Sequence, residues 1–197
     1  KKNISIKGEV KNSGNLVVGG DAAIDTNSKD FISNGNLSIK GKADVSTNRF
    51  QTDGDSIIEG KLDLKAKDSF KNTGKFQVKE DASVKSKGFD NKNLIVTGKS
   101  LVIDSKDGDV YSKDLSVGSN LAIDSKNIKI NGDTTVGGAA LINNMEDIDN
   151  EGDLHVHKKL IINTKSLKSK GNISSSGLDV KLDGDFRSEG DIQSKWD

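Results

Sequence analysis

Two histidines, His155 and His157, have the spacing in this 197-residue chain that is most typical of a metal site. They alternate with Leu154 and Val156, so in an extended strand both imidazoles lie on one face. An imidazole pair of this kind can hold Zn²⁺ or Cu²⁺, but a structural zinc normally takes four ligands and no third ligand is evident. We therefore expect a solvated strand face and no metal at this pair.

Three aspartates, Asp114, Asp133 and Asp153, recur about 20 residues apart and would form a row if successive segments of the chain were stacked. Calcium is one ligand that could offset their mutual repulsion. The Gly-Gly-x-Gly-x-Asp calcium repeat is absent, and screening by solvent and nearby lysines is a simpler explanation. The lysines concerned are Lys113, Lys158 and Lys159. We expect no bound calcium, and no cofactor of any other kind.

Composition excludes several classes of function. The chain has no Cys, which rules out disulfides and thiolate metal sites, and no apolar run of the length that spans a bilayer. Its 30 basic and 30 acidic residues are finely interspersed and leave no net charge. No basic patch for nucleic acid or an anionic membrane is therefore predicted. Glycine pairs such as Gly19-Gly20 and Gly137-Gly138 lack the spacing of phosphate-binding loops.

An internal repeat organises the whole chain. It begins with Gly-Asn-Leu at Gly14, and variants of that start follow at intervals of 18 to 21 residues. They begin at Gly35, Gly54, Gly74, Lys92, Lys113, Gly132, Gly152, Gly171 and Gly190. A period of about 20 residues lies in the range of solenoid repeats.

Apolar residues occupy the same slots in each repeat and alternate with polar ones, which predicts short strands. The third and fifth positions are Leu16/Val18, Leu37/Ile39, Ser56/Ile58, Phe76/Val78, Leu94/Val96, Leu115/Val117, Thr134/Val136, Leu154/Val156 and Ile173/Ser175. A second pair, near positions nine and eleven, is Ala22/Ile24, Ala43/Val45, Leu62/Leu64, Ala82/Val84, Leu101/Ile103, Leu121/Ile123, Ala140/Ile142, Leu160/Ile162 and Leu178/Val180. These two pairs predict two short strands in each repeat, and a third apolar slot further along the repeat predicts a third strand.

That third slot holds one large apolar residue per repeat, and five of the six phenylalanines occupy it. Its members are Phe31, Phe50, Phe70, Phe89, Val110, Ile128, Ile148, Leu167 and Phe186. Such a coincidence predicts a stacked column in which each side chain lies one strand spacing, about 4.8 Å, above its predecessor.

Glycine marks the corners between these strands. Most repeat starts are Gly, and six more glycines fall at position seven. Those six are Gly20, Gly41, Gly60, Gly98, Gly138 and Gly177. We interpret them as corners that require φ values only Gly adopts without steric cost. Asn or Asp at position two suits the same turns.

The fold class predicted is all-β, a parallel β-helix of about ten coils with three short strands per coil and a length of roughly 45 Å. One coil buries too little apolar surface to fold alone, so stacking must stabilise it. Coil length varies by only a residue or two, so no insertion is long enough to wall a catalytic cleft. The chain is therefore expected not to be an enzyme.

We expect residues 1–197 to form a single β-helix segment within a longer protein. Ile4, Ile6 and Val10 fit the second and third strands of a truncated first coil, and the chain ends at Trp196 and Asp197 inside another. Neither end resembles a cap, and an open end presents unpaired strand edges.

Three aliphatic residues, Val17, Ile57 and Ile95, are assigned to the solvent-facing fourth position. They could mark a binding or packing face, although scattered surface aliphatics are normal.

The repeat resembles the filamentous-haemagglutinin-like repeats of large exoproteins secreted by Gram-negative two-partner pathways, which include adhesins, haemolysins and contact-dependent-inhibition proteins. The matching residues are the Gly-Asn-Leu starts at Gly14 and Gly35, Gly132-Asp133, Gly152-Asp153-Leu154, and the strings Leu141–Asn144 and Leu160–Thr164. The resemblance implies a right-handed helix, export by an outer-membrane partner transporter, and a rod at the cell surface. A surface receptor, protein or glycan, would be a further partner.

The function expected from this resemblance is a non-catalytic structural shaft or adhesive segment of a secreted or cell-surface exoprotein, with no nucleic-acid partner and no insertion of the segment into a membrane. Two alternatives remain open. One is a cytoskeletal β-helix that polymerises end to end, like bactofilins; the other is a carbohydrate-active β-helix.

Overall fold

The computed structural model describes residues 2–195, and these residues form β-strands and turns without a helix. The strands are β1 Ile4–Lys7, β2 Val10–Asn12, β3 Leu16–Val18, β4 Ala22–Asp25, β5 Phe31–Ser33, β6 Leu37–Ile39, β7 Ala43–Thr52, β8 Ser56–Ile58, β9 Leu62–Asn72, β10 Phe76–Val78, β11 Ala82–Lys85, β12 Gly88–Thr97, β13 Leu101–Ser105, β14 Val110–Val117, β15 Leu121–Ser125, β16 Ile128–Ile130, β17 Thr134–Val136, β18 Ala140–Asn144, β19 Asp147–Asn150, β20 Leu154–Thr164, β21 Ser166–Ser169, β22 Ile173–Leu182, β23 Phe186–Ser188 and β24 Ile192–Ser194.

Every strand pairs in parallel with the equivalent strand one coil away, which makes the chain a β-solenoid of about ten turns. The first face carries strands such as β3, β6 and β8, the second face strands such as β1 and β4, and the third face strands such as β2 and β5. Longer strands, among them β7 and β9, run round a corner from the second face to the third. The predicted all-β class and stacked coils are confirmed.

The third-slot column is continuous from Val10 to Phe186. Backbone register pairs Val10 with Phe31 and carries the column through every predicted member to Leu167 and Phe186. Ring centroids lie 4.8 Å apart for Phe31 and Phe50, 5.7 Å for Phe50 and Phe70, and 4.7 Å for Phe70 and Phe89. These rings are nearly parallel, so the predicted aromatic stack is confirmed.

Phe76, the phenylalanine outside that column, completes the aromatic cluster from the first face. Its ring meets Phe50 and Phe70 edge-on, with centroids 6.3 Å and 5.6 Å away. Edge-to-face contact suits the quadrupoles of aromatic rings. Core slots of two faces therefore meet at the centre of the solenoid.

One repeat is out of phase with the sequence-based assignment. The start placed at Lys92 lies one residue later, at Asn93, because register pairs Phe76 with Ile95 and Ile95 with Leu115. Ile95 and Thr97 therefore point inward, and Leu94 and Val96 do not. A bulge between Asn91 and Leu94 absorbs the shift. The run Leu-Ile-Val is apolar at every position, so alternation could not fix its phase.

The reason given for the corner glycines was wrong. Gly8 is the one glycine with a positive φ among the described residues, at 117°. Corner glycines are required by close approach instead: a Cβ on Gly54 would lie 2.6 Å from the backbone of Gly35 in the preceding coil. Gly177 also lies at a corner, where β22 passes from the first face to the second, but a Cβ there would meet Lys159 only at 3.7 Å, an ordinary contact.

Two columns of inward polar residues accompany the apolar core and were not predicted. The first column lies two residues after the third slot. Its side chains donate hydrogen bonds to the backbone carbonyl at the start of the next coil: Asn72 Nδ2 donates to Gly74 O at 2.6 Å, and Asn150 Nδ2 donates to Gly152 O at 2.7 Å. The buried members of this column are Ser33, Thr52, Asn72, Asn91, Ser112, Asn150 and Ser169. The other column follows the second face and includes Thr26, Thr47, Ser105, Ser125 and Thr164.

The first coil is partial, as expected. Ile4 and Ile6 pair with Ala22 and Ile24. The side chains of Ile4, Ile6 and Val10 are half-buried against the core. The expectation for the last coil concerns Trp196 and Asp197, which lie outside the described residues.

Candidate functional site

The aspartate row at the first corner is a hydrogen-bonded ladder. Asp114 Oδ1 accepts the backbone N–H of Asp133 at 3.0 Å, and Asp133 Oδ1 accepts that of Asp153 at 3.0 Å. Asp153 Oδ1 in turn accepts the N–H of Asn172 at 2.8 Å. Each carboxylate thus satisfies a donor of the coil above, which explains why Asn and Asp recur at position two.

Backbone N–H groups of the next coil are the partners that the structure shows for this row of carboxylates. The three carboxylates do lie in successive coils as predicted, but each spends one oxygen on a backbone N–H. Between residues 2 and 195, no group of three or more His, Asp or Glu side chains is arranged to hold a metal ion. Among the described residues, Lys113, Lys158 and Lys159 form no ion pair within 4.0 Å with these three carboxylates; Lys159 lies 3.5 Å from Asp179 instead.

A second ladder follows the next corner. Asp21 Oδ1 accepts the N–H of Lys42 at 3.0 Å, and Asn120 Oδ1 accepts that of Ala139 at 3.0 Å. In the same row, Asp81 accepts the N–H of Ser100 at 3.2 Å. That bond, with help from Lys61, lowers the pKa of Asp81 from its ordinary value.

The histidine pair lies outward on the first face, as predicted. Both side chains are exposed, and their ring centroids are 4.9 Å apart with the planes nearly perpendicular. His155 Nδ1 shares a hydrogen bond of 2.7 Å with Ser174 Oγ in the next coil. These imidazoles and their serine neighbours line a shallow groove with Gln193 and Lys195.

The outward aliphatics divide into two sets. Val17 and Ile57 are exposed on the first face, at 66% and 41%. Ile95 is 3% exposed and belongs to the core. Its assignment to the surface was wrong because this repeat starts at Asn93, one residue later than predicted. Register separates Val17 from Ile57 by Ser38, so these two form no continuous patch.

A continuous apolar stripe lies instead on the second face, where sequence reasoning did not place one. Val102, Ala122, Leu141 and Ile161 occupy the same outward position in four successive coils. Val102 and Leu141 are 41% and 38% exposed. The sequence does carry a signal for this stripe: when the core pairs of the second face are aligned, the residue between the two members of each pair is apolar in these four repeats.

Five lysines gather around one shallow groove at the corner between the second and third faces. The groove is lined by Lys65, Lys67, Lys85, Lys87 and Lys106, with Asp104 and Asp107 among them. Lys85 Nζ lies 2.8 Å from Asp104 Oδ2, and this bond lowers the pKa of Asp104 and raises that of Lys85. In sequence these lysines lie in three segments about 20 residues apart, and the coil register brings the segments together.

The best-formed ion pair is at the corner leading to the third face. Asp30 Oδ2 accepts hydrogen bonds from Arg49 Nε, at 3.0 Å, and from Arg49 Nη2, while Asp30 Oδ1 accepts from Asn48 Nδ2 at 3.2 Å. The bonds from Arg49 hold the pKa of Asp30 below its ordinary value. This pair joins two coils at the register shift between Thr47 and Arg49.

Taken as a surface, the described part of the chain offers regular ladders, shallow grooves and short charged or apolar stripes on a rigid support. Such a surface can space, stack or bind weakly over several coils, because the same contact recurs at each level. Fold and surface together define a parallel β-solenoid.

The chain belongs to the haemagglutinin repeat family, whose model matches residues 3–127 and 111–193. That family is associated with structural or adhesive β-helical segments of secreted and cell-surface exoproteins, and with two-partner secretion. Neither the curated proteins nor the solved structures include a match to the chain. None of the elements between residues 2 and 195 is a helix long and apolar enough to cross a membrane.

Proposed function

We propose that the chain is a non-catalytic shaft or adhesive segment of a large secreted surface exoprotein, an adhesin or the stalk of a contact-dependent-inhibition protein. The observation that carries the proposal is the uninterrupted third-slot column from Val10 to Phe186. A core that continues through every coil makes a stiff spacer, since each coil is held by its neighbours. Residues 1–197 act in this proposal as one segment.

Export with a partner transporter of the outer membrane is part of the same proposal. Family membership supports it. The absence of Cys fits it too, because a periplasmic disulfide would hinder threading through a pore. On the cell surface the segment would hold a distal domain away from the membrane, and its charged side chains would keep the rod soluble.

Deleting one whole coil tests the shaft role. Removal of residues 54–73 joins two equivalent corners and should leave a folded rod shorter by about 4.8 Å. Removal of residues 54–63 takes out half a coil and is the matched control, since it puts core positions on the surface. Small-angle scattering and circular dichroism measure both. Unfolding of the whole-coil deletion would contradict a modular shaft.

Electron microscopy and sedimentation of the purified chain test the proposal against its alternatives. A shaft gives discrete short rods at every concentration. Filaments of unlimited length would favour the cytoskeletal alternative, and release of reducing sugar from a polysaccharide would establish an enzyme.

A further inference from the structure

Both histidines of the chain lie on one strand. His155 and His157 belong to β20, and their imidazoles are exposed on the first face. In the other coils, the positions that register equates with His155 hold Ser, Thr, Gln or an aliphatic residue. The repeat itself therefore does not require histidine here, and the pair is open to a role of its own.

The strand holds the two imidazoles side by side. Leu154 and Val156, which alternate with the histidines, are 3% and 0% exposed in the core. β20 pairs with β17 on one side and with β22 on the other, so its backbone is fixed in both directions. A ligand that needs both rings would find them already placed, which lowers the entropic cost of binding.

The separation of the rings suits a shared metal ion. An ion lies about 2.0 Å from an imidazole nitrogen that binds it, and about 3.2 Å from the centroid of that ring. The centroids of His155 and His157 are 4.9 Å apart, which corresponds to an angle of roughly 100° between the two bonds of a shared ion. That angle lies between those of square-planar and tetrahedral coordination. Both rings are exposed, so no packing opposes the rotations that would aim their nitrogens at one point.

A serine of the next coil supplies the second contact that metal-binding histidines usually have. His155 Nδ1 lies 2.7 Å from Ser174 Oγ. When Nδ1 carries the proton and donates it to this hydroxyl, Nε2 keeps a free lone pair. A hydrogen bond of this kind fixes the tautomer and the ring orientation of a histidine ligand.

The charged neighbours of the pair leave it accessible to a cation. Lys158 and Lys159 are exposed beside the bulge that follows Val156, and Lys159 Nζ lies 3.5 Å from Asp179 Oδ2. Lys195 lines the same groove two coils beyond His157, roughly 10 Å away at the strand spacing. Exposed charges at that distance are largely screened by salt.

We propose that His155 and His157 form a bidentate site for Cu²⁺, with water at the remaining positions and Ser174 as a positioning residue. The lack of a third protein ligand argues against a structural zinc, but an ion that keeps bound water needs fewer protein ligands. Among divalent first-row ions, Cu²⁺ binds a given set of nitrogen ligands most tightly. The site forms when the coils stack, so it is compatible with folding after export.

The experiment titrates the purified, folded chain with copper sulfate at neutral pH, by calorimetry and electron paramagnetic resonance. We expect one Cu²⁺ per chain and a spectrum with two nitrogen ligands. His155→Asn and His157→Asn should each weaken binding by at least the roughly 10- to 100-fold that loss of a supporting contact costs. Thr135→Asn is the matched control, because Thr135 is exposed beside His155 in the preceding coil and supplies no ligand.

Two further variants test the part assigned to Ser174. Ser174→Ala removes the hydroxyl and should weaken copper binding by about tenfold without changing the number of nitrogen ligands. Ser174→Thr keeps a hydroxyl and should restore the affinity. An affinity unchanged in Ser174→Ala would show that Ser174 does not position His155.

A capped peptide of residues 152–160 tests whether the strand matters, since it carries both histidines without the solenoid. We expect the folded chain to bind Cu²⁺ more tightly than this peptide. Equal affinities would overturn the proposal, and so would copper binding that survives both histidine substitutions. Neither result touches the shaft function, whose tests involve no metal.

Discussion

Aromatic stacking and polar ladders stabilise neighbouring coils through different side chains. Phe50 is 1% exposed and touches rings above, below and beside it. Asp and Asn at the corners bind backbone donors at the rim. The first contact removes apolar surface from water, and the second satisfies polar groups that bending the chain would leave unpaired.

Phe50→Ala should destabilise the rod by about 3–5 kcal/mol, because it leaves a cavity among rings that cannot close in. Phe186→Ala is the control, since Phe186 is the last described member of the same column and is 50% exposed. Urea denaturation measures both. Equal losses for the two variants would contradict the buried column.

The Asp30–Arg49 pair predicts a dependence of stability on pH. Because the pKa of Asp30 is lowered from 3.8 in the folded chain, its ionised carboxylate stabilises the fold above that value. The contribution is lost as the pH falls through the lowered pKa. Asp30→Asn should therefore reduce the urea midpoint at neutral pH, and its difference from the unaltered chain should shrink as the pH falls below 3.8 and through the lowered pKa.

Arg49→Lys serves as the comparison at the same pair. It keeps the charge and loses the forked donor, so it should retain only part of the pH-dependent stabilisation. A pH-independent difference between Asp30→Asn and the unaltered chain would show that Asp30 acts only by packing.

Strands and corners have separate requirements at the scale of the element. Strand faces need alternation, while corners need backbones that approach closely, as Gly54 approaches Gly35. The contacts at Gly54 are to backbone atoms, which cannot rotate away. Corners therefore limit substitution more strictly than the outward strand positions do.

Gly54→Ala should cost about 1–3 kcal/mol, since the added methyl forces two coils apart. Gly19→Ala is the matched control, because a Cβ there meets nothing within 4 Å. Thermal and urea unfolding of the two variants give the comparison. If Gly19→Ala were as harmful, the role of glycine would be conformational and not spatial.

Sequence was sufficient for elements whose apolar residues alternate with polar ones. The pair Ala43/Val45 and the column through Phe50 were placed correctly, because a one-residue slip would expose their whole apolar set. The Leu94–Val96 segment was misplaced since all its residues are apolar. The intervals between repeat starts on either side of this segment, 18 and 21 residues with the start at Lys92, become 19 and 20 residues with the start at Asn93.

Inward polar residues escaped prediction for a different reason. Asn72 and Asn91 are fully buried, although Asn in a repeat of short strands ordinarily indicates a turn. Their amides bond each other at 2.8 Å and also bond the next corner. Only the register between coils shows that these amides stack. The lysine groove and the apolar stripe could not be predicted from the sequence without that register either.

Over the whole molecule, each coil pairs in register with the next, so equivalent residues rise along the solenoid in regular steps. Outward first-face positions Val17, Ser38, Ile57, Gln77, Val96, Ser116, Thr135 and His155 are joined in that order by backbone register. Charge is balanced over the chain and the core is continuous. The rod should therefore behave as one stiff unit.

Distances between paired spin labels test this rise most directly, and the lack of native Cys makes the labelling specific. With Val17→Cys fixed, partners at Val96→Cys and His155→Cys lie four and seven coils away, so we expect separations of roughly 19 Å and 34 Å. Separations that grow in proportion to the number of coils support the stacked solenoid. Equal or irregular separations for the two pairs would contradict it.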